Sequence, residues 1–135
     1  MKKMEYYNSF RYKVSKPFKR AWFKFLLNRN KMITVGESHR GIGKTYMMIE
    51  RAMKEDIAIV VGTQQSADNI KRHGNPVDVV RLAPNFTLDL EVSVFPNGVM
   101  IDETVDPKMI VVLESKNIEI RGGFIADYGG DVVEG

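Results

Sequence analysis

The sequence contains no cysteine and only two histidines among its 135 residues. The lack of cysteine excludes a disulfide scaffold, a thiolate metal site and a cysteine nucleophile. Two histidines leave little material for a histidine-based metal site. No uncharged apolar run approaches the roughly 18 residues that a membrane-spanning helix needs, and the N-terminal segment lacks the apolar stretch and cleavage site of a signal peptide. These absences predict an intracellular protein without a transmembrane segment.

The overall composition is that of an ordinary globular protein. Hydrophobic residues make up 44% of the chain and charged residues 27%, a balance that excludes a disordered chain. The length suits one domain and is short for two. We therefore expect a minimal single domain with its own core.

Charged and aromatic residues are distributed unevenly along the chain. Positions 1–31 hold ten of the twenty lysines and arginines and one acid, Glu5, which gives a net charge of +9. The remaining positions carry ten basic and sixteen acidic groups, a net charge of −6. Eight of the aromatic residues also lie in 1–31. The sequence thus predicts a basic, aromatic N-terminal arm and helix over 1–30 and an acidic core over 31–135.

The clearest helical period follows Pro17. Five apolar residues recur at i, i+3, i+4, i+7 and i+8, the spacing of one helical face: Phe18, Ala21, Trp22, Phe25 and Leu26. Proline suits the first helical position, because its missing N–H would have no partner there in any case. We predict an amphipathic helix over 17–28 whose aromatic face packs on the sheet and whose outer face is basic.

Strands and helices alternate through the rest of the chain. Apolar, β-branched runs predict strands, and 3.6-residue periods predict two further helices. The predicted strands cover 31–35, 57–61, 77–82, 87–95, 99–101, 109–113 and 118–120, and the predicted helices cover 45–54 and 65–73. This alternation is typical of an α/β domain with a mainly parallel sheet flanked by helices.

A glycine-rich segment, GESHRGIGKT at 36–45, lies between the first core strand and the helix that follows. Backbone N–H groups in such a loop point inward and form an anion-binding nest at a helix N-terminus. Gly41 and Gly43 allow the backbone to approach a phosphate closely. The segment resembles the phosphate-binding loop (Walker A motif) of P-loop nucleoside triphosphatases, although the small residue Ser38 stands where that motif has its first glycine.

The resemblance implies that this loop binds ATP and Mg²⁺. Lys44 would reach the β- and γ-phosphates, and Thr45 would ligate the metal. The implied nucleotide-binding residues are Ser38, His39, Arg40, Gly41, Ile42, Gly43, Lys44, Thr45 and Tyr46. ATP is preferred to GTP because the sequence has no guanine-specifying N-K-x-D element. A glycine-rich turn that binds no ligand is the alternative.

A second motif, VMIDE at 99–103, resembles the Walker B motif of the same superfamily. A buried strand ends in an acid at the carboxyl edge of the sheet, where α/β sheets place their ligands. The resemblance implies that Asp102 holds the Mg²⁺ shell. It also implies that Lys44 and Glu103 are catalytic, with Glu103 polarising the attacking water as in the catalytic-glutamate branch. A strand that merely ends in two surface acids is the alternative.

Three further residues are candidates for contacts with the γ-phosphate. In the catalytic-glutamate branch the strand beside Walker B often carries a polar sensor, and Ser115 or Asn117, after the predicted strand 109–113, suits that role. Arg121 is the best candidate for an arginine finger supplied to a neighbouring subunit, and Arg40 is a candidate within the same chain. The alternative for the two sensor candidates is that they belong to an ordinary turn. The alternative for the two arginines is that they are solvated at the surface.

The basic arm predicts a contact with nucleic acid, since lysine and arginine displace counterions from a phosphate backbone and aromatic rings stack on exposed bases. The candidate residues are Lys13, Lys16, Lys19, Arg20 and Lys24. A basic amphipathic helix that lies on an anionic membrane is an alternative. Residues 62–66 either contact nucleic acid or cap the next helix, and we favour the cap.

Across residues 31–121 the motifs look most like those of small phage-type, DNA-handling P-loop ATPases. The resemblance implies a P-loop fold and an ATPase that acts on nucleic acid, DNA rather than RNA, in replication, recombination or packaging. It also implies a homo-oligomer in the cytoplasm, that of the host if the protein is viral. A non-catalytic, nucleotide-dependent DNA-binding or regulatory protein is the alternative. A small-molecule kinase ranks last, because no arginine-rich lid follows Walker B.

Overall fold

In a computed structural model of the chain, the described residues are 6–8, 16–36, 43–73, 77–82 and 95–126. Strands and helices alternate along these ranges, except that β5 is the next described element after β4. The strands are β1 (Tyr6–Asn8), β2 (Met32–Val35), β3 (Ala58–Val61), β4 (Val79–Arg81), β5 (Val99–Ile101) and β6 (Ile120–Ala126). The helices are α1 (Lys16–Asn28), α2 (Lys44–Glu55), α3 (Gln64–His73) and α4 (Pro107–Ser115).

The six strands form one sheet with the order β1-β2-β6-β5-β3-β4. Every neighbouring pair is parallel, including β1 of the N-terminal arm against β2. Parallel neighbours need a crossover connection, and the helices between the strands supply it. The predicted α/β fold, a parallel sheet flanked by helices, is therefore confirmed for the described residues.

Two apolar clusters cover the two faces of the sheet, and α1, α2 and α3 pack on one face while α4 packs on the other. Strand β5 contributes alternate side chains to the two clusters. Met100 belongs to the first cluster, and Val99 and Ile101 belong to the second, because successive side chains of a strand point to opposite faces. Burial on both faces explains why the strands are continuous apolar runs.

Helix α1 is present as predicted, but it buries a different face. The buried residues of α1 are Phe23, Leu26 and Leu27. The aromatic residues that were predicted to pack, Phe18, Trp22 and Phe25, are 60%, 37% and 50% exposed. The packing prediction is wrong because the helix carries two apolar stripes that share Leu26, and the second stripe is the one that fits the sheet. Among the described helices, none combines the length and the apolarity that crossing a membrane requires.

The segment 109–113 is a helix rather than the predicted strand. It lies within α4, and the longer strand β6 replaces the predicted strand 118–120. A short apolar run cannot be assigned to a strand or a buried helix by its period alone. The helix begins at an N-cap, Asp106, whose Oδ1 accepts a hydrogen bond of 2.9 Å from Lys108 N. The predicted strand 87–95 lies almost entirely outside the described residues.

A buried arginine joins several elements at the amino edge of the sheet. Arg51 in α2 is 3% exposed, and its guanidinium donates hydrogen bonds to the carbonyl oxygens of Leu27 and Arg121. It also donates to Asn30 Oδ1, and it forms an ion pair with Glu55 Oε2 at 3.1 Å. The Arg121 Nη2 atom lies 2.9 Å from Glu55 Oε1. Burial lowers the pKa of Arg51, and its hydrogen bond to Glu55 opposes that effect.

Glu55 should make the stability of the domain depend on acid pH. The hydrogen bond from Arg51, followed by the charges of Arg51 and Arg121, holds the pKa of the Glu55 carboxyl below its ordinary value of 4.5, while burial opposes this effect. A carboxyl whose pKa is lower in the folded state stabilises the fold above its unfolded pKa, and this stabilisation is lost as the pH falls through the folded pKa.

The stability difference between the wild-type chain and Glu55→Gln should therefore be full at about pH 6 and shrink below about pH 4.5. Urea denaturation of both chains between about pH 3 and 7 measures it. A difference that does not change with pH would contradict the assignment of this ion pair.

Candidate functional site

The carboxyl ends of the parallel strands meet at one edge of the sheet, the edge where α/β proteins bind their ligands. The described residues of both predicted motifs lie at this edge. The glycine-rich segment follows β2 and leads into α2, and Asp102 and Glu103 directly follow β5. Strand β6 lies between β2 and β5. The two motifs therefore follow strands that are separated by one other strand of the sheet.

Gly43 precedes α2 as its N-cap, with a left-handed backbone at φ 89° and ψ 28°. Glycine adopts this conformation without the steric cost of a Cβ. The first hydrogen bond of the helix runs from Met47 N to Gly43 O at 3.0 Å. The first N–H groups of a helix have no partner within it, and a glycine N-cap has no side-chain oxygen to offer them. The start of α2 therefore suits a negatively charged ligand.

Lys44 and Glu103, the two residues predicted to be catalytic, contact each other. The Lys44 Nζ atom lies 3.5 Å from Glu103 Oε1. The Lys44 side chain is only 10% exposed, whereas that of Glu103 is 35% exposed. A buried ammonium group is stable only with an anionic or hydrogen-bonding partner, and Glu103 is one such partner. The structure thus brings the two motifs together through their charged side chains.

Asp102 is held by its own loop and by α3. It is 5% exposed, and its Oδ2 accepts a hydrogen bond of 2.9 Å from Ser66 Oγ. The same oxygen accepts bonds of 3.0 Å from Thr104 N and 2.6 Å from Thr104 Oγ1. Thr104 Oγ1 in turn accepts a bond of 2.8 Å from Gly62 N. This network holds the loop that carries Glu103 against the start of α3.

Gly62 allows the ends of β3 and β5 to come this close. A Cβ on Gly62 would lie 1.9 Å from Thr104 O, a distance that no pair of unbonded atoms tolerates. Thr104 was not predicted from the sequence as part of the site, and Gly62 was predicted only within the segment 62–66 that contacts nucleic acid or caps the next helix. The predicted cap in this segment is confirmed, because Thr63 Oγ1 accepts a hydrogen bond of 3.1 Å from Ser66 N at the start of α3. The sequence feature that could have indicated this close approach is a glycine that directly follows a buried strand.

Helix α1 brings a further cation to the start of α2. A Cβ on Gly43 would lie 3.7 Å from Arg20 Nε, so the Arg20 guanidinium lies beside the N-cap. An ion pair of 3.1 Å between Lys24 Nζ and Glu50 Oε1 also links α1 to α2. The sequence predicted Arg20 as a contact to nucleic acid, and its position beside Gly43 depends on helix packing that the spacing of residues does not reveal.

A cavity of about 240 Å³ opens beside the lysine–glutamate pair. The described residues that line it are Gly43, Lys44, Thr45, Tyr46, Asn69, His73 and Glu103. The rings of Tyr46 and His73 meet edge to face, with centroids 5.4 Å apart, at one side. The cavity thus collects the described part of the predicted nucleotide-binding segment together with Glu103, and it adds two residues of α3 that the sequence did not indicate.

Thr45 and Asp102, the predicted metal ligands, offer oxygen atoms of the kind that Mg²⁺ prefers. Thr45 lies in the first turn of α2 and lines the cavity. Within the described ranges, no three acidic or histidine side chains converge on one point.

The two predicted sensor residues lie at the opposite edge of the sheet. Ser115 ends α4, where its Oγ donates a hydrogen bond of 2.7 Å to Val112 O. Asn117, at φ 60°, lies in the turn before β6. Because 109–113 is a helix, the loop after it leads to the amino end of β6 and not to the carboxyl edge. The structural basis of the sensor prediction is therefore wrong.

Arg121 also lies at the amino edge. Its guanidinium donates hydrogen bonds of 3.0, 3.0 and 2.9 Å to Asn30 Oδ1, Asn97 O and Glu55 Oε1. Its role as a finger toward a neighbouring subunit stays a prediction. The predicted residues outside the described ranges are Lys13, Ser38, His39, Arg40, Gly41 and Ile42, and the side chain of Lys16 is likewise outside the description.

No protein-family model, curated protein or solved structure matches this chain at a significant level. The class of protein is therefore defined by its fold and site alone. It is an α/β protein with a parallel sheet, and its carboxyl edge carries a glycine-capped helix start and a lysine–glutamate pair.

Proposed function

We propose that the protein binds ATP through the glycine-rich segment and hydrolyses it while it acts on nucleic acid, as a P-loop ATPase. The observation that carries the proposal is the contact of 3.5 Å between Lys44 Nζ and Glu103 Oε1. Each motif alone is modest evidence for a site that binds and hydrolyses ATP. Their charged side chains meet at the edge of the sheet where this class of fold binds ligands, and that meeting is what the joint resemblance requires.

The phosphate groups would bind where positive charge converges. The N–H groups at the start of α2 and the Lys44 ammonium group both favour an anion there, and Arg20 Nε lies near Gly43. An incoming triphosphate would replace Glu103 as the counter-ion of Lys44, because phosphate oxygens carry more charge and accept several of these donors together. Glu103 would then be free to contact water.

Thr45 and Asp102 are the residues that would hold Mg²⁺, and the ion would neutralise charge on the phosphate oxygens. Glu103 would orient the attacking water and accept its proton at a carboxylate oxygen. The hydrogen bonds of Asp102 to Ser66 and Thr104 support this role, because they fix the loop that positions Glu103.

A nucleic-acid partner also belongs to the proposal, and the charge of α1 supports it, while the preference for DNA over RNA rests on the resemblance to DNA-handling ATPases. This helix contains Lys16, Lys19, Arg20 and Lys24 and no acidic residue. Cations of this density release counterions from a phosphate backbone. A homo-oligomer belongs to the proposal as well, since a neighbouring subunit commonly supplies the arginine that stabilises the γ-phosphate.

The hydrogen bond of 2.9 Å between Ser66 Oγ and Asp102 Oδ2 favours a second candidate function. It connects the proposed metal site directly to α3, so a ligand that rearranges Asp102 would also move this helix. A nucleotide-dependent DNA-binding or regulatory protein without turnover would use the same site as a switch.

Steady-state ATP hydrolysis by the purified chain, alone and with single- or double-stranded DNA, tests the proposal. We expect turnover that one of the polynucleotides stimulates. Lys44→Ala should abolish turnover and weaken ATP binding by about tenfold or more, because a charge-assisted contact to phosphate is lost.

Lys54→Ala is the matched control, since this exposed lysine lies at the other end of α2. Its turnover and ATP affinity should equal those of the wild-type chain. ATP binding that depends on Lys44 without turnover under any condition would select the switch function. Turnover that survives Lys44→Ala would refute the proposed site.

A further inference from the structure

The buried Asp102 carboxylate has one oxygen that is fully bonded and one that is not. Asp102 is 5% exposed. Its backbone N–H donates to Val60 O at 2.9 Å, and its carbonyl oxygen accepts a bond of 3.1 Å from Val105 N. All three hydrogen bonds to its side chain end at Oδ2. Among the described residues, no hydrogen bond or ion pair reaches Oδ1.

The three bonds leave no capacity at Oδ2. Its donors are Ser66 Oγ at 2.9 Å, Thr104 N at 3.0 Å and Thr104 Oγ1 at 2.6 Å. An ionised carboxylate oxygen offers about two lone-pair positions, so three donors occupy them fully. The shortest of the three bonds has the length typical of a hydroxyl that donates to an ionised oxygen. The carboxylate can therefore bind another group only through Oδ1.

The two hydroxyl donors come from different elements of the fold. Thr104 lies in the loop after β5, and its Oγ1 accepts a bond of 2.8 Å from Gly62 N. Because this hydroxyl accepts from Gly62, its single hydrogen is free to point at Asp102. Ser66 reaches the same oxygen from α3. The carboxylate is thus held from two sides, and the removal of one hydroxyl leaves the other in place.

A cation is the group that suits the remaining oxygen. Buried charged groups in proteins are paired or coordinate a metal. Among the described residues, no lysine or arginine forms an ion pair with Asp102, and the neighbouring acid Glu103 is paired with Lys44 at 3.5 Å. Asp102 directly follows β5 at the carboxyl edge of the sheet, where α/β proteins bind their ligands.

We infer that Ser66 and Thr104 are positioning residues, which hold Oδ2 of Asp102 and so present Oδ1 as a single, fixed ligand for Mg²⁺. The inference deepens the proposed function and rests on it for the identity of the cation. Mg²⁺ demands near-ideal octahedral geometry, whereas Ca²⁺ accepts flexible geometry and can take both oxygens of a carboxylate. An aspartate with one oxygen occupied and the other fixed therefore favours Mg²⁺ over Ca²⁺.

Mn²⁺ binding to the full-length protein tests this inference, because Mn²⁺ uses the same oxygen ligands as Mg²⁺ and Ca²⁺. The electron paramagnetic resonance signal of free Mn²⁺ is followed with and without ADP, and competition gives the affinities for Mg²⁺ and Ca²⁺. Asp102→Asn defines the binding that does not depend on this carboxylate. We expect the wild-type chain to show Asp102-dependent binding that prefers Mg²⁺ to Ca²⁺.

The removal of either hydroxyl should change the metal preference. Ser66→Ala should weaken Mg²⁺ binding by about tenfold or more, the usual effect of losing a group that orients a metal ligand. Ca²⁺ binding should fall less, because the released carboxylate can offer both oxygens. Thr104→Val should lower the ratio of Mg²⁺ to Ca²⁺ affinity in the same way, and Thr104→Ser, which keeps the hydroxyl, should restore it.

Gln64→Ala is the matched control. It also removes a hydrogen bond between a side chain of α3 and an aspartate, since Gln64 Nε2 donates to Asp68 Oδ1 at 2.9 Å. That pair is exposed and has no contact with Asp102. The affinities for Mg²⁺ and Ca²⁺ should both equal those of the wild-type chain.

Two results would overturn the inference. Affinities for Mg²⁺ and Ca²⁺ that fall equally in Ser66→Ala, or that do not change, would show that this hydroxyl has only a structural role. Equal Mn²⁺ binding by Asp102→Asn and the wild-type chain would show that water and not a cation occupies Oδ1.

ATP turnover of the same preparations separates this inference from the proposed function. Turnover that accompanies either of the overturning results would leave the ATPase intact without these positioning residues. Asp102-dependent Mg²⁺ binding that Ser66→Ala weakens selectively, without turnover under any condition, would support the inference and refute hydrolysis.

Discussion

Replacing Arg51 by methionine should lower the free energy of unfolding by about 3 kcal/mol, because it leaves several polar groups without their donor. The guanidinium donates to the carbonyl oxygens of Leu27 and Arg121 and to Asn30 Oδ1. Methionine fills a similar volume but donates no hydrogen bond, and each buried acceptor left unpaired costs about 1–3 kcal/mol. Glu55 keeps Arg121 as a partner at 2.9 Å. The cost therefore arises mainly from the carbonyl groups.

Urea denaturation of the variant against the wild-type chain measures this loss. Lys54→Met makes the same kind of change at an exposed position of the same helix, and it should alter stability by no more than about 0.5 kcal/mol. A loss for Arg51→Met as small as that of the control would show that water replaces the guanidinium at these carbonyl groups and that the cluster does not hold the amino edge together.

Glu103→Gln should reduce ATP turnover by about 100-fold or more, since the side chain that accepts the proton from water becomes neutral. ATP binding should be retained or strengthened. In the unliganded arrangement Glu103 is an anionic partner of Lys44 at 3.5 Å, so the neutral amide competes less with the phosphates for that ammonium group. Single-turnover hydrolysis and equilibrium ATP binding, measured on the same preparation, separate the two effects.

The matched control is Glu50→Gln, the same isosteric change at an exposed residue of α2 that pairs with Lys24. It should leave both turnover and ATP affinity unchanged. Full turnover in Glu103→Gln would show that Glu103 is not a catalytic residue. Equal loss of turnover and of ATP binding would indicate instead that the Lys44–Glu103 contact is needed to form the site.

The two clusters of charge divide the molecule into a stabilising edge and a candidate functional edge. Arg51, Glu55 and Arg121 lie where the parallel strands begin, and Lys44 and Glu103 lie where they end. In parallel α/β folds, ligands bind at the carboxyl ends of the strands. This division explains why the contacts of Arg121 serve stability within the chain, whereas those of Lys44 face a cavity.

Local patterns in the sequence were sufficient for much of the architecture. The alternation of β-branched runs with helical periods predicted an α/β fold, because a strand buried on both faces has to be apolar throughout. The segment 109–113 was misassigned for the same reason. Its apolar run fills a buried helix face as well as it would fill a strand, and only packing against the second face of the sheet decides between them.

The candidate site was predictable where it depends on topology and unpredictable where it depends on packing. Lys44 and Glu103 were placed at one edge because parallel strands end together. The approach of Arg20 to Gly43 and the hydrogen bonds of Asp102 with Ser66 and Thr104 required the docking of α1 and the close contact of Gly62 with Thr104. The contacts of Arg20 with Gly43, of Ser66 with Asp102 and of Gly62 with Thr104 join residues that are distant in sequence, and no local pattern encodes them.

The sequence by itself determined the order of the strands and helices from α1 to β4, and it predicted that the charged motifs follow strands. Periodicity and residue type act over a few neighbouring residues, so they are visible in one dimension. The tertiary structure decided which of the two apolar stripes on α1 is buried and which remains exposed, the one with Phe18, Trp22 and Phe25. Both stripes are apolar enough to be buried, and only the shape of the surface that receives the helix distinguishes them.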